Sequence, residues 1–327
     1  MGALKVLFVG GGGMISSACA HEAVARGLDL SVLTRQKTSS RPLPEAATLL
    51  RADARDPAAV RDAVGDSEFD VVVNFIGYSP KDVQADVDLF NGRIGQYVFI
   101  STTSVYHRPI AQLPIVESTP RRNNAWPYPK DKIACEELLE RSYREQDFPA
   151  TIVRPCHTYD GRTLPMHGGW TVVERMRQGK PVVVHGDGTS LWALTHHRDF
   201  ARGFVPLLGN PHTIGDSVHL TTDEILTWDQ IHRVVAAAAG VRDPVLVHRS
   251  SETIAEELPD WGPSLTDDFA HSLVFDNTKL RRLVPGFTAT TSFAEGVREV
   301  VDWYDADPAR RHVSSKVDEA FDRLIAR

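Results

Sequence analysis

Four consecutive glycines, Gly10 to Gly13, stand directly after the apolar run Lys5-Val-Leu-Phe-Val9. A helical pattern follows from Met14 to Ala25 and stops near Gly27, a suitable C-cap. A strand, a side-chain-free turn and a helix in that order have one well-understood use. Glycine permits the tight backbone path and removes the side chain where a pyrophosphate must approach. The N–H groups at the helix N-terminus then favour the anion. The spacing is Gly10-x-x-Gly13-x-x-Ser16. A serine holds the third place, where glycine is usual, and is still small enough for close helix–strand packing.

The rhythm set by this unit continues. Leu30 to Leu33, Thr48 to Ala52, Asp70 to Ile76, Tyr97 to Ser101 and Ala150 to Val153 read as further strands. Asp56 and Pro57 open a helix that runs to Val64, and Tyr128 to Glu145 reads as a long helix. Strands apolar on both faces that alternate with helices imply a parallel sheet covered on both sides. The fold class expected is α/β: a Rossmann-type doubly wound sheet over residues 1–155, to which later segments return. After residue 155 prolines, glycines and histidines become frequent. Helices from Trp170 to Arg177, Trp228 to Ala239 and Ser292 to Tyr304 are separated by longer loops. Residues 156–305 are read as a smaller irregular α/β lobe for substrate, and 306–327 as a tail or peripheral helix.

With 43 acidic against 36 basic residues the net charge is -7, which gives no electrostatic motive for nucleic acid as a partner. No apolar run approaches the ~20 residues of a membrane helix. The start of the chain lacks a signal-peptide layout, so a cytoplasmic enzyme is expected. Cys19, Cys135 and Cys156 are odd in number and far apart, which argues against disulfides and zinc.

Ligands gather at the C-terminal ends of strands in such sheets. Met14 and Ile15 at the helix start, Asp53 and Ala54 after the third strand, Phe75 and Ile76 at the end of the fourth, and Pro155 therefore join Gly10 and Gly13 as candidate cofactor contacts. The second strand ends Leu33-Thr34-Arg35, followed by Gln36 and Lys37. An acidic residue there would suit the ribose hydroxyls of NAD; Arg35 suits a 2′-phosphate, so NADP(H) is favoured over NAD(H). The alternative is that Arg35 is a solvated surface arginine and Asp53 a loop cap.

Tyr128-Pro-Lys-Asp-Lys132 puts a phenol and an ammonium four residues apart on one helix face. The lysine charge is expected to lower the phenol pKa, so that Tyr128 can exchange a proton with a substrate hydroxyl. Lys132 can also hydrogen-bond the nicotinamide ribose. The preceding strand ends Ile100-Ser-Thr-Thr-Ser-Val-Tyr106. Thr102 is the expected hydroxyl partner, with Ser101 and Ser104 as competitors.

Together these residues resemble the extended short-chain dehydrogenase/reductase family, the NAD-dependent epimerase/dehydratase group. The resemblance spans roughly residues 4–305. It includes Arg154-Pro155, Gly186-Asp-Gly188, Asp199-Phe-Ala201, Asp276-Asn-Thr-Lys279-Leu and Glu295-Gly296. Asp70 to Tyr106, Leu33-Thr-Arg35 and the Tyr128 helix look most like a subgroup related to chloroplast stem-loop-binding proteins. The resemblance implies a homodimer formed through the Tyr128 helix and the helix before it. It also exposes departures. Family members acting on nucleotide sugars usually carry asparagine at the position of His157 and a diphosphate-binding arginine at that of Trp192. Sugar dehydratases usually place Asp and Glu where Thr103 and Ser104 stand, which counts against a 4,6-dehydratase here.

Ser104, His107, His157 and Trp192 are the candidate substrate contacts, and Trp126 and Trp170 further apolar walls. His167, His185, His196 and His197 also fall in segments expected near the cleft. Adjacent residues on a strand face opposite ways, so His196 and His197 make a poor metal pair, and no metal is expected. The activity expected is hydride transfer at a carbinol carbon of a sugar-, nucleoside- or polyketide-like small molecule. Epimerisation and net reduction or oxidation remain open alternatives. A non-enzymatic nucleotide- or RNA-binding protein on the same fold is the alternative of another class.

Overall fold

Strands that are apolar on both faces leave neither face to water, and this requirement sets the architecture. The computed structural model describes residues 2–35, 41–123 and 125–327. The first half supplies β1 (Lys5–Val9), β2 (Asp29–Thr34), β3 (Thr48–Arg51), β4 (Val71–Asn74), β5 (Gln96–Ile100) and β6 (Ala150–Pro155). A seventh strand, Ser217–Leu220, arrives from the second half and lies parallel beside β6. The sheet order is Ser217–Leu220, β6, β5, β4, β1, β2, β3. All neighbours are parallel.

The period of two divides each strand between two cores. Val6 and Phe8 of β1, with Val71 and Val73 of β4, pack against Cys19, Ala20 and Ala23 of α1 (Met14–Ala25). Phe200 and Phe204 of the helix His197–Phe204 join the same face. Leu7, Val9 and Val72 turn the other way. They meet Val60 and Val64 of α2 (Pro57–Val64), Val83 and Val87 of α3 (Pro80–Phe90), and Cys135 and Leu139 of α4 (Pro127–Gln146). Each such side chain taken out of water is worth roughly 1.5–3 kcal/mol.

Two local results differ from the sequence reading. β4 ends at Asn74 rather than Ile76, because the Asn74 side chain accepts the Ile76 N–H at 2.8 Å and turns the chain out of the sheet. α3 had no counterpart, although its start is written in Ser79-Pro-x-Asp82. The Ser79 hydroxyl caps the Asp82 N–H, the Asp82 carboxylate takes the Ser79 N–H, and Pro80 occupies the first turn.

The second lobe is built from short strand pairs. His157–Tyr159 lies beside Leu194–His196, Val182–His185 beside Leu246–Arg249, and Leu191–Trp192 beside Leu226–Thr227. The helices Trp170–Arg177, Trp228–Ala238 and Phe293–Asp305 close around them. Residues 315–326 form a helix that buries Val317, Ala320, Phe321 and Leu324 in the lobe's core, so this segment is integral rather than a loose tail. His196 and His197 do not face opposite ways. The chain passes from strand to helix between them, and their rings meet at 4.5 Å. Among the described residues, no helix is long and apolar enough to cross a membrane.

One buried ion pair fastens α4 to β6. Glu136, fully buried, accepts two bonds from Arg154 at 2.9 and 2.7 Å and one from Arg121 at 2.6 Å. Burial alone would raise the Glu136 carboxyl pKa, but the Arg154 charge overrides it and the net shift is downward. Arg154 also donates to the Tyr106 hydroxyl at 2.9 Å, at the end of the loop after β5. Glu136→Gln would leave buried guanidinium charge uncompensated. It is expected to lower the unfolding free energy by about 3–5 kcal/mol, while Glu137→Gln, on the exposed face of the same helix, should change it by under ~0.5 kcal/mol. Urea unfolding of the two variants checks this.

Candidate active site

The sheet order reverses between β1 and β4, and the turns leaving these two strands open a crevice at that point. Gly10 has φ +88°, a left-handed conformation that glycine adopts without strain. A Cβ there would lie 2.7 Å from Ile76 Cγ2. At Gly11 a Cβ would meet Val32 at 2.3 Å. Neither position tolerates a side chain, and the start of α1 points its first-turn N–H groups past them. This is a cradle suited to a pyrophosphate. Ser16 does more than fit: its hydroxyl oxygen accepts the Gly13 N–H at 3.0 Å.

From this cradle a cleft of about 1050 Å³ runs to the second lobe. All the candidate catalytic, cofactor and substrate contacts line it except His107, while Trp170, His167, His185, His196 and His197 do not. His107 sits on the loop after β5, where its backbone N–H is held by the Pro120 carbonyl at 2.9 Å. Arg35 and Asp53 lie at the cleft's far end as an exposed pair 3.6 Å apart. Gln36 and Lys37 fall outside the described residues. Trp126 lines the cleft beside Tyr128, with ring centroids 5.5 Å apart. Trp170 instead stacks on Tyr304 at 4.7 Å within the lobe's core.

At the middle of the cleft Tyr128, in the first turn of α4, stands close enough to the Thr102 hydroxyl for that group to favour its phenolate. Thr102 also accepts the Ser104 N–H at 3.2 Å, which fixes the loop leaving β5. Lys132 lies one turn further along the helix. Its ammonium donates to the carbonyls of Gly77 and Ile100, both at 2.8 Å, and stands 4.6 Å from the Phe99 ring centroid. The expectation that the lysine lowers the phenol pKa is not met: burial pushes Tyr128 up to about 12, with the Thr102 hydroxyl opposing and Tyr78 and Asp268 adding to the rise. Burial likewise brings Lys132 down to about 8.

The substrate end is walled by His157, Trp192, Ser104, Asp268 and Phe269. Burial lowers the His157 pKa to about 4, so the ring is neutral at pH 7. Its Nδ1 accepts the Trp192 indole N–H at 3.1 Å, which leaves the proton on Nε2. Trp192 is only 3% exposed and is committed to His157. Asp268 and Phe269 were not anticipated. They sit on a π-helical turn, Leu265–Phe269, that leaves no periodic trace in the sequence. The Asp268 carboxylate accepts from the Ser104 hydroxyl at 2.7 Å and from Arg108 at 2.8 Å. A carboxylate therefore does reach Ser104, but from a distant turn. The Phe269 ring also walls a small cavity of about 20 Å³, in which His167, His185 and Trp228 surround its other face.

A family model described as the NAD dependent epimerase/dehydratase family matches residues 6–220. The chain belongs to this family. It is an NAD-dependent enzyme of the epimerase and oxidoreductase kind. It is 23% identical to the chloroplast stem-loop binding protein of 41 kDa b of Arabidopsis thaliana, over 98% of this chain and 84% of that one. It is 27% identical to the 2'-dehydrokanamycin reductase of Streptomyces kanamyceticus, over 87% and 80%. Among solved structures, an epimerase of Methanothermobacter thermautotrophicus superposes with a TM-score of 0.76 at 16% identity, covering 94% of each chain. The UDP-glucose 4-epimerase of Thermus thermophilus, in complex with NAD, gives 0.72 at 23% identity, covering 92% of this chain and 99% of that one. These likenesses extend the family fold over both lobes.

Burial of Lys132 has a measurable consequence. An unfolded lysine titrates near 10.4 and Lys132 near 8. Between these values the unfolded state binds more protons, so stability rises with pH. The Tm difference between the wild type and Lys132→Met is expected to climb in favour of the wild type from pH 8 to 10, and to be flat below pH 7. Thermal denaturation across that range measures it.

Proposed function

We propose that the chain is an NAD(P)-dependent epimerase or oxidoreductase that acts at a carbinol carbon of a sugar-, nucleoside- or polyketide-like small molecule. One observation carries the reading. Thr102, Tyr128 and Lys132 line the middle of a single cleft, with the glycine cradle at one end and a wall of His157, Trp192, Ser104 and Asp268 at the other. The glycine cradle, Met14 and Ile15 would hold the pyrophosphate, Arg35 and Asp53 would flank the adenosine, and Phe75, Ile76 and Pro155 would border the nicotinamide half. A bound nicotinamide supplies the hydride acceptor or donor and, when oxidised, a positive charge.

Thr102 steadies the substrate oxygen by hydrogen bonding. Tyr128 takes the hydroxyl proton in oxidation and returns it in reduction. With burial holding the phenol near 12, the proton transfer gains from any positive charge brought beside Tyr128. Lys132, charged at pH 7, keeps Gly77 and Ile100 in place and adds positive potential. Reduction on the opposite face of a retained ketone gives epimerisation; release of the ketone gives a dehydrogenase. Similarity to a 2'-dehydrokanamycin reductase and, at 26% identity, to the UDP-glucose 4-epimerase of Streptomyces lividans supports keeping both outcomes.

NADP(H) is the preferred form in this reading. The Arg35–Asp53 pair is exposed and therefore weak, so Arg35 can turn to a 2′-phosphate. Likeness to a stem-loop binding protein favours a second reading, RNA association without turnover; the net charge of -7 argues against it. A small-molecule substrate, a cytoplasmic location and a homodimer through α3 and α4 complete the proposal.

Tyr128→Phe is expected to lower kcat by about 10²–10⁴-fold while leaving cofactor affinity within about twofold. Steady-state assays at 340 nm and fluorescence titration with all four nicotinamide forms measure this. Failure of every form to bind, with a salt-sensitive RNA shift in its place, would establish the second reading. Arg35→Ala should weaken NADP(H) by about tenfold and leave NAD(H) unchanged, as read from the same titrations.

A further inference from the structure

The charges on the cleft wall are unevenly placed. Arg35 and Arg55 lie at the adenosine end, and Lys132 spends its ammonium on two backbone carbonyls. Among the described residues, no lysine or arginine lines the cleft beyond Tyr128. The guanidinium bonded to that wall from behind, Arg108, is 6% exposed and fully committed. Its Nε donates to the Asp267 carbonyl at 3.1 Å, Nη1 to the Tyr106 carbonyl at 3.0 Å and Nη2 to Asp268 at 2.8 Å. The charged side chain that does line this end is Asp268, a carboxylate. His157 adds no charge, because its ring is neutral.

A diphosphate brought here would lose water without gaining a cation and would meet a like charge. Hydroxyl groups would find what they need. The Ser104 oxygen, whose proton goes to Asp268, can accept, as can the Asp268 oxygens, and His157 offers Nε2–H as a donor. The flat faces of Phe269 and Trp126 suit a ring.

Resting on the redox reading above, we infer that the substrate is a polyhydroxylated ring that carries no phosphate, a free glycoside rather than a nucleotide-activated sugar. A neutral sugar and an amino sugar share this chemistry, and the acidic wall accepts both.

The experiment uses the full chain and begins with cofactor titration, so that failure of the redox reading is seen separately. The cofactor-saturated enzyme is then titrated calorimetrically with UDP and UDP-glucose. In parallel, a panel of neutral glycosides and aminoglycosides, with their keto forms, is screened for nicotinamide absorbance change against Tyr128→Phe. The expected result is no nucleotide binding below about 1 mM, with Tyr128-dependent turnover of at least one phosphate-free ring. Its kcat/KM should exceed that for UDP-glucose at least about 100-fold. Saturable UDP binding below about 100 μM, or turnover of UDP-glucose, would overturn the inference while leaving the redox reading intact. Cofactor binding with both arms silent would also overturn it. Turnover of neutral against amino members separates the two sources.

Discussion

The geometry of the site hangs on the carboxylate of Glu136. It lies one turn beyond Lys132 on α4, and it binds Arg154 at the end of β6 and Arg121 on the loop. Arg154 in turn holds Tyr106, whose hydroxyl also meets His219 on the seventh strand. Helix, sheet and loop are thus brought to one buried point. Tyr128 and Thr102 come from two of these elements, and their closeness in the cleft needs both in register. An ion pair of this kind adds little net stability over an apolar replacement, but it fixes one arrangement of three elements.

The lysine is placed by the same logic. A buried ammonium is costly, and the cost appears as its lowered pKa. Two carbonyls and the Phe99 ring offset part of it. The enzyme thus keeps a positive charge where a core side chain would be more comfortable, which is the usual trade between stability and a working site. The phenol shows the complementary situation. Burial holds it protonated at neutral pH.

Much of this was legible in the chain because the cofactor half is regular. Alternating apolar strands, the glycine bend after β1 and Tyr-x-x-x-Lys at a helix start each follow from a repeating geometry, and they locate Gly10, Thr102, Tyr128 and Lys132. Ser217–Leu220 was not recognised, since four residues with a histidine among them look like loop until the sheet edge claims them. The substrate wall was legible only in part. His157 and Trp192 stood out as departures, but their mutual hydrogen bond did not. Asp268 and Phe269 come from a turn with no period, 164 residues in sequence from the serine that Asp268 binds. The same limit misjudged His196 and His197, whose orientation depends on where a strand gives way to a helix.

The Phe269 ring is the partition between the cleft and the small cavity behind it. It packs against His157, Trp192, His167 and Trp228, and it belongs to none of the elements that carry Thr102, Tyr128 or Lys132. One wall of that end of the cleft is therefore a benzene ring on a short turn. A lineage can widen or narrow what it admits by exchanging that ring, and the proton-handling groups need not move.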